Sequence, residues 1–241
     1  MRSRSAYDLI NDVRSRSDQK TLNGQLAYIT DLEILEWLNQ AWADLYDLLI
    51  KTGEHYYLRQ QNFTTLPGVQ DQPLYDDHYK TVKVSILIGG LWQGAERTQF
   101  DRADDWQILS GSWSWPSDVH YDLWGQNLHF FRAPDMSYSV RHWYYPVPFR
   151  MTLNDGATPP GSVSSIDGVS GWEQYAIDWA ASKCATRDEN LDLYEMLQAD
   201  MMAKRTHIIT MASTRNPGNA PATRIVRGRS AVPSMGRWWR W

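Results

Sequence analysis

Residues 30–49 read TDLEILEWLNQAWADLYDLL, and this stretch decides the fold class. Thr30-Asp31-Leu32-Glu33 is a capping box, in which a threonine caps the backbone three residues on and a glutamate reaches back. Behind it Leu35, Leu38, Trp42, Leu45 and Leu49 fall on one stripe, flanked by Ile34, Ala41 and Leu48. Intervals of three and four residues are the signature of a helix with one apolar face. The spacing predicts a helix from residue 31 to about 52, stopped at Gly53. Upstream, Ser5-Ala6-Tyr7-Asp8 is another capping signal. Ala6, Leu9, Ile10 and Val13 follow it at i, i+3, i+4 and i+7, about three turns of amphipathic helix. Residues 17–29 between the two helices read as a polar loop around Asn23-Gly24.

From about residue 60 the period drops to two. Val82, Val84, Ile86 and Ile88 alternate with Lys83, Ser85 and Leu87, and Gly89-Gly90 offers a tight hairpin turn. Val119, Tyr121 and Leu123 alternate with His120 and Asp122. Gly125-Gln126-Asn127 then turns the chain onto a strand carrying Leu128 and Phe130. Tyr138, Val140, His142 and Tyr144 alternate again, up to Pro146 and Pro148. Residues 60–148 therefore read as a small antiparallel β-domain of about five or six strands. The stretch 97–114 is ambiguous, with room for a helical turn at Asp101–Leu109.

Residues 150–171, rich in Gly, Pro and Ser, form a loop leading back to helix. Trp172, Tyr175, Ala176, Trp179, Ala180 and Cys184 give the face of the next helix. After a break near Arg187–Asn190, the face continues with Leu191, Tyr194, Leu197 and Met201, to about Met211. The expected fold is α+β: a helical bundle core of about four helices, an inserted antiparallel β-domain and an extended C-terminal arm. The domain boundaries follow as 1–59 with 149–211 for the helical core, 60–148 for the insertion and 212–241 for the arm. Leu35, Leu38, Trp42, Leu45, Trp172, Tyr175 and Trp179 are the expected centre of the helical core.

Charge divides the chain in the same way. The 241 residues carry a net charge of −4. From Ala212 to Trp241 there are six arginines (215, 224, 227, 229, 237 and 240) and no carboxylate, so the tail holds +6 and residues 1–211 hold −10. An acidic body is not a general nucleic-acid binder. One cysteine, Cys184, excludes a disulfide framework and multi-cysteine zinc sites. No run of 18 apolar residues suggests a membrane span, and MRSRSAYDLIND lacks the apolar stretch of a signal peptide. The six histidines show no metal-ligand spacing, and Asp76-Asp77-His78 reads as an acidic turn before a strand. There is no nucleophile elbow, and Gly89–Gly94 lacks the lysine of a phosphate loop. No cofactor is implied and nothing argues for an enzyme.

The 13 tryptophans are the compositional oddity. Trp113, Trp115 and Trp124 in or beside the β-domain offer stacking platforms for sugars or bases, although core and hairpin packing accounts for them more simply. The tail ends Arg237-Trp238-Trp239-Arg240-Trp241. Burying three indoles on a partner is worth roughly 11–19 kcal/mol before ordering costs. A tail that only solubilised would not carry such a tip.

Four phrases give a resemblance: SAYDLINDVRSRSD, the TDLEILEWLNQAWADLYDLL helix, WPSDVHYDLWGQNLHFFRAPDMSYSVRHWYYPVP, and GWEQYAIDWAASKCA. In this order they resemble the head-to-tail adaptor proteins of tailed bacteriophages, especially the adaptor family of podoviruses. The resemblance implies a structural virion protein at the head–tail junction, assembled in the host cytoplasm. It implies a ring, usually of twelve copies, docked under the portal protein, with the β-part toward a tail nozzle or tail tube protein. Double-stranded genomic DNA would pass through the bore. No membrane is involved. The C-terminal arm reaching back along the portal makes Arg224, Arg227, Arg229, Arg237, Trp238, Trp239, Arg240 and Trp241 the candidate anchoring residues. Competing readings are a carbohydrate- or receptor-binding tail component using the Trp platform, a nucleic-acid binder acting through the basic tail, and a small hydrolase.

Overall fold

A computed structural model describes residues 4–18, 29–52, 55–98, 119–166 and 171–215, with side chains through Met211. Among them four helices form: α1 (Ala6–Arg16), α2 (Asp31–Lys51), α3 (Glu173–Arg187) and α4 (Leu191–Arg215). The strands are β1 (Arg4–Ser5), β2 (Arg59–Thr64), β3 (Asp71–Pro73), β4 (His78–Ile88), β5 (Leu91–Arg97), β6 (His120–Trp124), β7 (Asn127–Phe130), β8 (Ser139–Pro146) and β9 (Ser165–Ile166). The fold is α+β with four helices and a curled mixed sheet.

The Thr30 capping box forms as its sequence demands. Thr30 Oγ1 accepts from the Glu33 backbone at 3.3 Å and Glu33 accepts from the Thr30 N–H at 2.9 Å. Ser5 caps α1 by accepting from the Asp8 N–H, but Asp8 takes the Ser5 hydroxyl instead of closing the reciprocal bond. One hydrophobic cluster gathers the buried faces of all four helices. Asp178 of α3 is fully buried within it and is held by Lys204, by Arg16 at 3.3 Å and by Gln174. A buried carboxylate needs that many donors, because its water has been removed. The turn after α3 puts Glu189 at φ 56, and Asn190 caps α4 by accepting from the Leu193 N–H.

The larger sheet has seven strands in the order β2-β8-β4-β5-β6-β7-β3, all from residues 59–146. Its inner face holds a second cluster built on Val84, Ile86, Tyr121, Leu128, Phe130 and Val140. The expectation of a purely antiparallel sheet of five or six strands is corrected, because β5 and β6 pair in parallel. A parallel pair cannot be closed by a tight turn, and β5 and β6 are joined by the long segment 98–119. Of it only Thr98 and Val119 are described, so the expected turn at Asp101–Leu109 lies outside the described residues. Gly89 and Gly90, both at positive φ, close the β4–β5 hairpin, and Gly125-Gln126 closes β6–β7 with Asn127 already in its strand.

Two pattern assignments fail for local reasons. Val82 does not join Val84 and Ile86 inside: it is 40% exposed, because the β4–β8 register shifts between Thr81 and Lys83. A bulge inserts one residue and flips the alternation. Leu191, expected on the apolar face of the last helix, is 69% exposed at its first turn.

The ribbon of β1 with β9 was not anticipated. It is seated by the loop before it, where the Ser164 and Gly161 carbonyls accept from the Ala6 and Tyr7 N–H groups. Sheet and helices meet along α2. Tyr46 donates to the Pro146 carbonyl at 2.5 Å, and Tyr79 to Asp47 at 2.7 Å. Asn39 both donates to and accepts from the backbone of Met151.

Candidate docking surfaces

The expected core residues take their places first. Leu35, Leu38, Trp42, Leu45, Trp172 and Tyr175 are buried in the helical cluster, and Trp179 is half-buried against it. Cys184 is fully buried and its thiol is pushed up to about 11 by that burial, so it sits there as a protonated apolar group.

Among the described residues no group of three or more His, Cys, Asp or Glu could hold a metal ion. Asp77 lies in the turn before β4, where its carboxylate accepts from Arg59 and Tyr144 at 2.7 and 2.9 Å. The densest polar cluster was missed by sequence reading, since it assembles across strands. His78 and His142 each place Nε2 2.9 Å from the Thr81 hydroxyl, and the Tyr75, His142 and Tyr144 rings stack. Burial, and secondarily the His78 charge, pull the His142 imidazole down to about 4. Its Nδ1 and the Tyr75 hydroxyl are buried without a hydrogen-bond partner among the described residues. With His142 and Tyr144 buried and Tyr75, His78 and Thr81 half-buried around them, this cluster is a structural joint between β4 and β8.

Trp124 is 37% exposed, but one ring face is taken by His129, 3.5 Å away and nearly parallel. Trp113 and Trp115 lie outside the described residues. So do Arg224, Arg227, Arg229, Arg237, Trp238, Trp239, Arg240 and Trp241.

Two surfaces stand out instead. The first is the outer side of α4. Leu197, Met201 and Ile208 bury its inner side. On the opposite side Met196, Ala199, Met202, Thr206 and Ile209 follow at intervals of three and four, all exposed. Thr206 and Thr210 donate their hydroxyls to the carbonyls of Met202 and Thr206, satisfying them along the helix. Met202 alone is 59% exposed. A helix apolar on both sides is normally covered on both. The signal was present in the sequence as a second heptad-like series, masked by the first.

The second surface is a groove of about 250 Å³ between α2 and the segment leaving β8. Gln40 and Ala43 form one wall, Pro148 and Phe149 the other, with Trp42 contributing from the core. Arg150 pairs with Glu36 across its mouth. Phe149 is 58% exposed, and the Trp42 indole N–H has no acceptor among the described residues.

The described residues thus form a helical bundle joined to a curled sheet, with two apolar surfaces left exposed. The family model described as SU10 adaptor protein matches residues 4–224. The chain belongs to this family of phage head–tail adaptors, so it is a structural adaptor protein of the virion's head–tail junction. No curated protein matches it. No helix among the described residues is long and apolar enough to cross a membrane.

Proposed function

We propose that the chain forms a closed ring, of twelve copies, that joins the portal protein to the tail nozzle or tail tube and lines the channel for genomic DNA. The observation that carries this reading is the outer face of α4. Its exposed series from Met196 to Ile209 spans about 20 Å of helix, long enough for a continuous seam against a second copy. A head-to-tail contact repeated by rotation closes a ring. In this arrangement residues 1–59 and 149–211 are the ring body, residues 60–148 an inserted domain facing the tail, and residues 212–241 an arm. The arm anchors on the portal through Arg224, Arg227, Arg229, Arg237, Trp238, Trp239, Arg240 and Trp241. Arginine and tryptophan are the residue types that dominate interface hot spots, and repeated arms make attachment multivalent. The charge of −10 on residues 1–211 suits a bore that passes DNA without gripping it. The role is structural, with no catalysis.

Native mass spectrometry of full-length protein with the portal ring of the same genome tests this, beside a chain ending at Ser213. Full-length protein is expected to load in a fixed multiple and the shortened chain to fail. Loading of both moves the anchor to the helical body. Loading of neither removes the portal reading.

A further inference from the structure

We propose that the groove between α2 and Pro148–Arg150 is the resting site of the chain's own C-terminal tip, Arg237–Trp241, in the unassembled protein. This does not depend on the portal reading: a portal that captures the arm would simply compete with the groove.

The groove is preformed. Asn39 exchanges two hydrogen bonds with the Met151 backbone, 3.1 and 2.9 Å, which fixes the distance between its walls. It exposes apolar surface that no described residue covers. Phe149 on its wall is 58% exposed, and Val147 just before it is 51% exposed. The groove's volume of about 250 Å³ suits one large side chain and is too small for a helix. An indole from the tip supplies an aromatic plate against Phe149.

Charge bears on it more narrowly. Of the α2 carboxylates, Asp31, Glu33, Glu36 and Asp44 face Arg14, Arg187, Arg150 and Arg205, while Asp47 accepts the Tyr79 hydroxyl. Glu36 lines the groove, and Asp47 follows Ala43 by one turn. Arg237 and Arg240 alternate with the tip's tryptophans, so an indole seated in the groove places a guanidinium within range of Asp47 or in competition with Arg150 for Glu36.

Reach agrees as well. Arg205 of α4 lies 4.0 Å from Asp44, the neighbour of groove residue Ala43. From there α4 runs ten more residues to Arg215, about 15 Å. For a flexible chain, 26 residues correspond to a root-mean-square span of roughly 28 Å, more than the helix end has to travel back toward α2. A tether that can reach gives an effective concentration in the millimolar range, far above that of a second copy at micromolar protein.

The test uses the full-length chain with a photo-reactive residue at Gly236, irradiated at low micromolar concentration in an equal mixture of isotope-labelled and unlabelled protein. Cross-links are expected to peptides containing residues 36–43 or 147–150, joining partners of the same isotope. Gln40→Lys and Phe149→Ser should each lower their yield at least five-fold, with far-ultraviolet circular dichroism unchanged. Cross-links joining unlike isotopes, cross-links away from these peptides, or full yield in both folded variants overturn the proposal. Loss of portal loading with the cross-link intact would count against the adaptor assembly reading alone.

Discussion

Asp155 accepts from four backbone N–H groups, those of Ala157, Gly161, Val163 and Ser164, at 2.8–3.1 Å. These bonds, that from Ser164 foremost, hold its carboxyl down at about 2. The loop they organise carries Gly161 against α1. A Cβ there would meet Leu153 Cδ2 at 2.9 Å, Ala6 Cβ at 3.3 Å and the Tyr7 nitrogen at 3.4 Å, at φ +80. Gly161→Ala is therefore expected to cost about 2–3 kcal/mol in denaturant unfolding. Gly125→Ala, at φ +59 with open space around it, should cost about 1. At His142 the folded pKa of about 4 lies below the ordinary histidine value. The neutral form is thus favoured by folding, so its contribution is complete above about pH 6.5 and is lost as pH falls toward 4. Its surroundings are His78 and Thr81 of β4, Tyr144 of β8, Tyr75 and, through Tyr144, Asp77. Lowered carboxylates such as Glu33 and Asp155, both at about 2, act in a more acid window. Unfolding free energies measured from pH 7.5 to 4 should fall in the native protein. In His142→Gln they should fall less, since the titrating group is gone.

Helix α2 begins with a cap that also serves a neighbour. Glu33 closes the Thr30 box and accepts from Arg187 at the end of α3. The Arg187 bond first, then those from Thr30, hold its carboxyl at about 2. Thr30→Ala should lower stability by about 1 kcal/mol, read from the urea midpoint at unchanged slope. Helix α4 offers a sharper contrast, because its two sides have different jobs. Leu197 is fully buried, and Leu197→Ala should cost about 2–5 kcal/mol. Met202→Glu on the outer side should change the unfolding midpoint by less than about 0.5 kcal/mol. It should nevertheless prevent ring assembly in analytical ultracentrifugation with the portal. A large stability loss from Met202→Glu would mean that the outer side packs within its own chain.

Across the whole molecule, the polar contacts among the described residues that tie α2 to the sheet and the segment leaving it include Tyr46 to Pro146, Tyr79 to Asp47, Asn39 to Met151 and Glu36 to Arg150. Each joins α2 to β4, to the end of β8 or to the segment just after it, so helix and sheet clusters should unfold together. Near- and far-ultraviolet circular dichroism are expected to give one thermal transition. Combining Tyr46→Phe with Asn39→Ala removes two of these ties, the most buried ones, and should separate the transition into two. The unequal charge of body and tail adds a further property at this scale, since salt weakens any contact between them.

Much of this is legible in the sequence. The Thr30 box and the stripe behind it specify α2 within a residue of its observed end, because cap and periodicity are local signals. Gly89-Gly90 specifies a hairpin because few other residues tolerate two positive φ angles in succession. Burial of Leu35, Leu38, Trp42 and Leu45 follows from hydrophobicity at helical spacing. The four phrases pointed to the adaptor family, and the family match agrees.

The parallel β5–β6 pair, the bulge that turned Val82 outward, the His78–Thr81–His142 joint and the β1–β9 ribbon were not legible. Each depends on which distant strand lies alongside, and strand partners are chosen by the packing of the whole sheet. The same holds for the two surfaces. An apolar residue on α4 looks alike in sequence whether it faces the core or a neighbour, and only the position of α3 tells Leu197 from Met202. The sequence by itself determined the elements, their caps and the charge division between body and tail, since these rest on near neighbours and on composition. The tertiary structure decided which faces are left uncovered, since exposure is what remains after every long-range contact has been made.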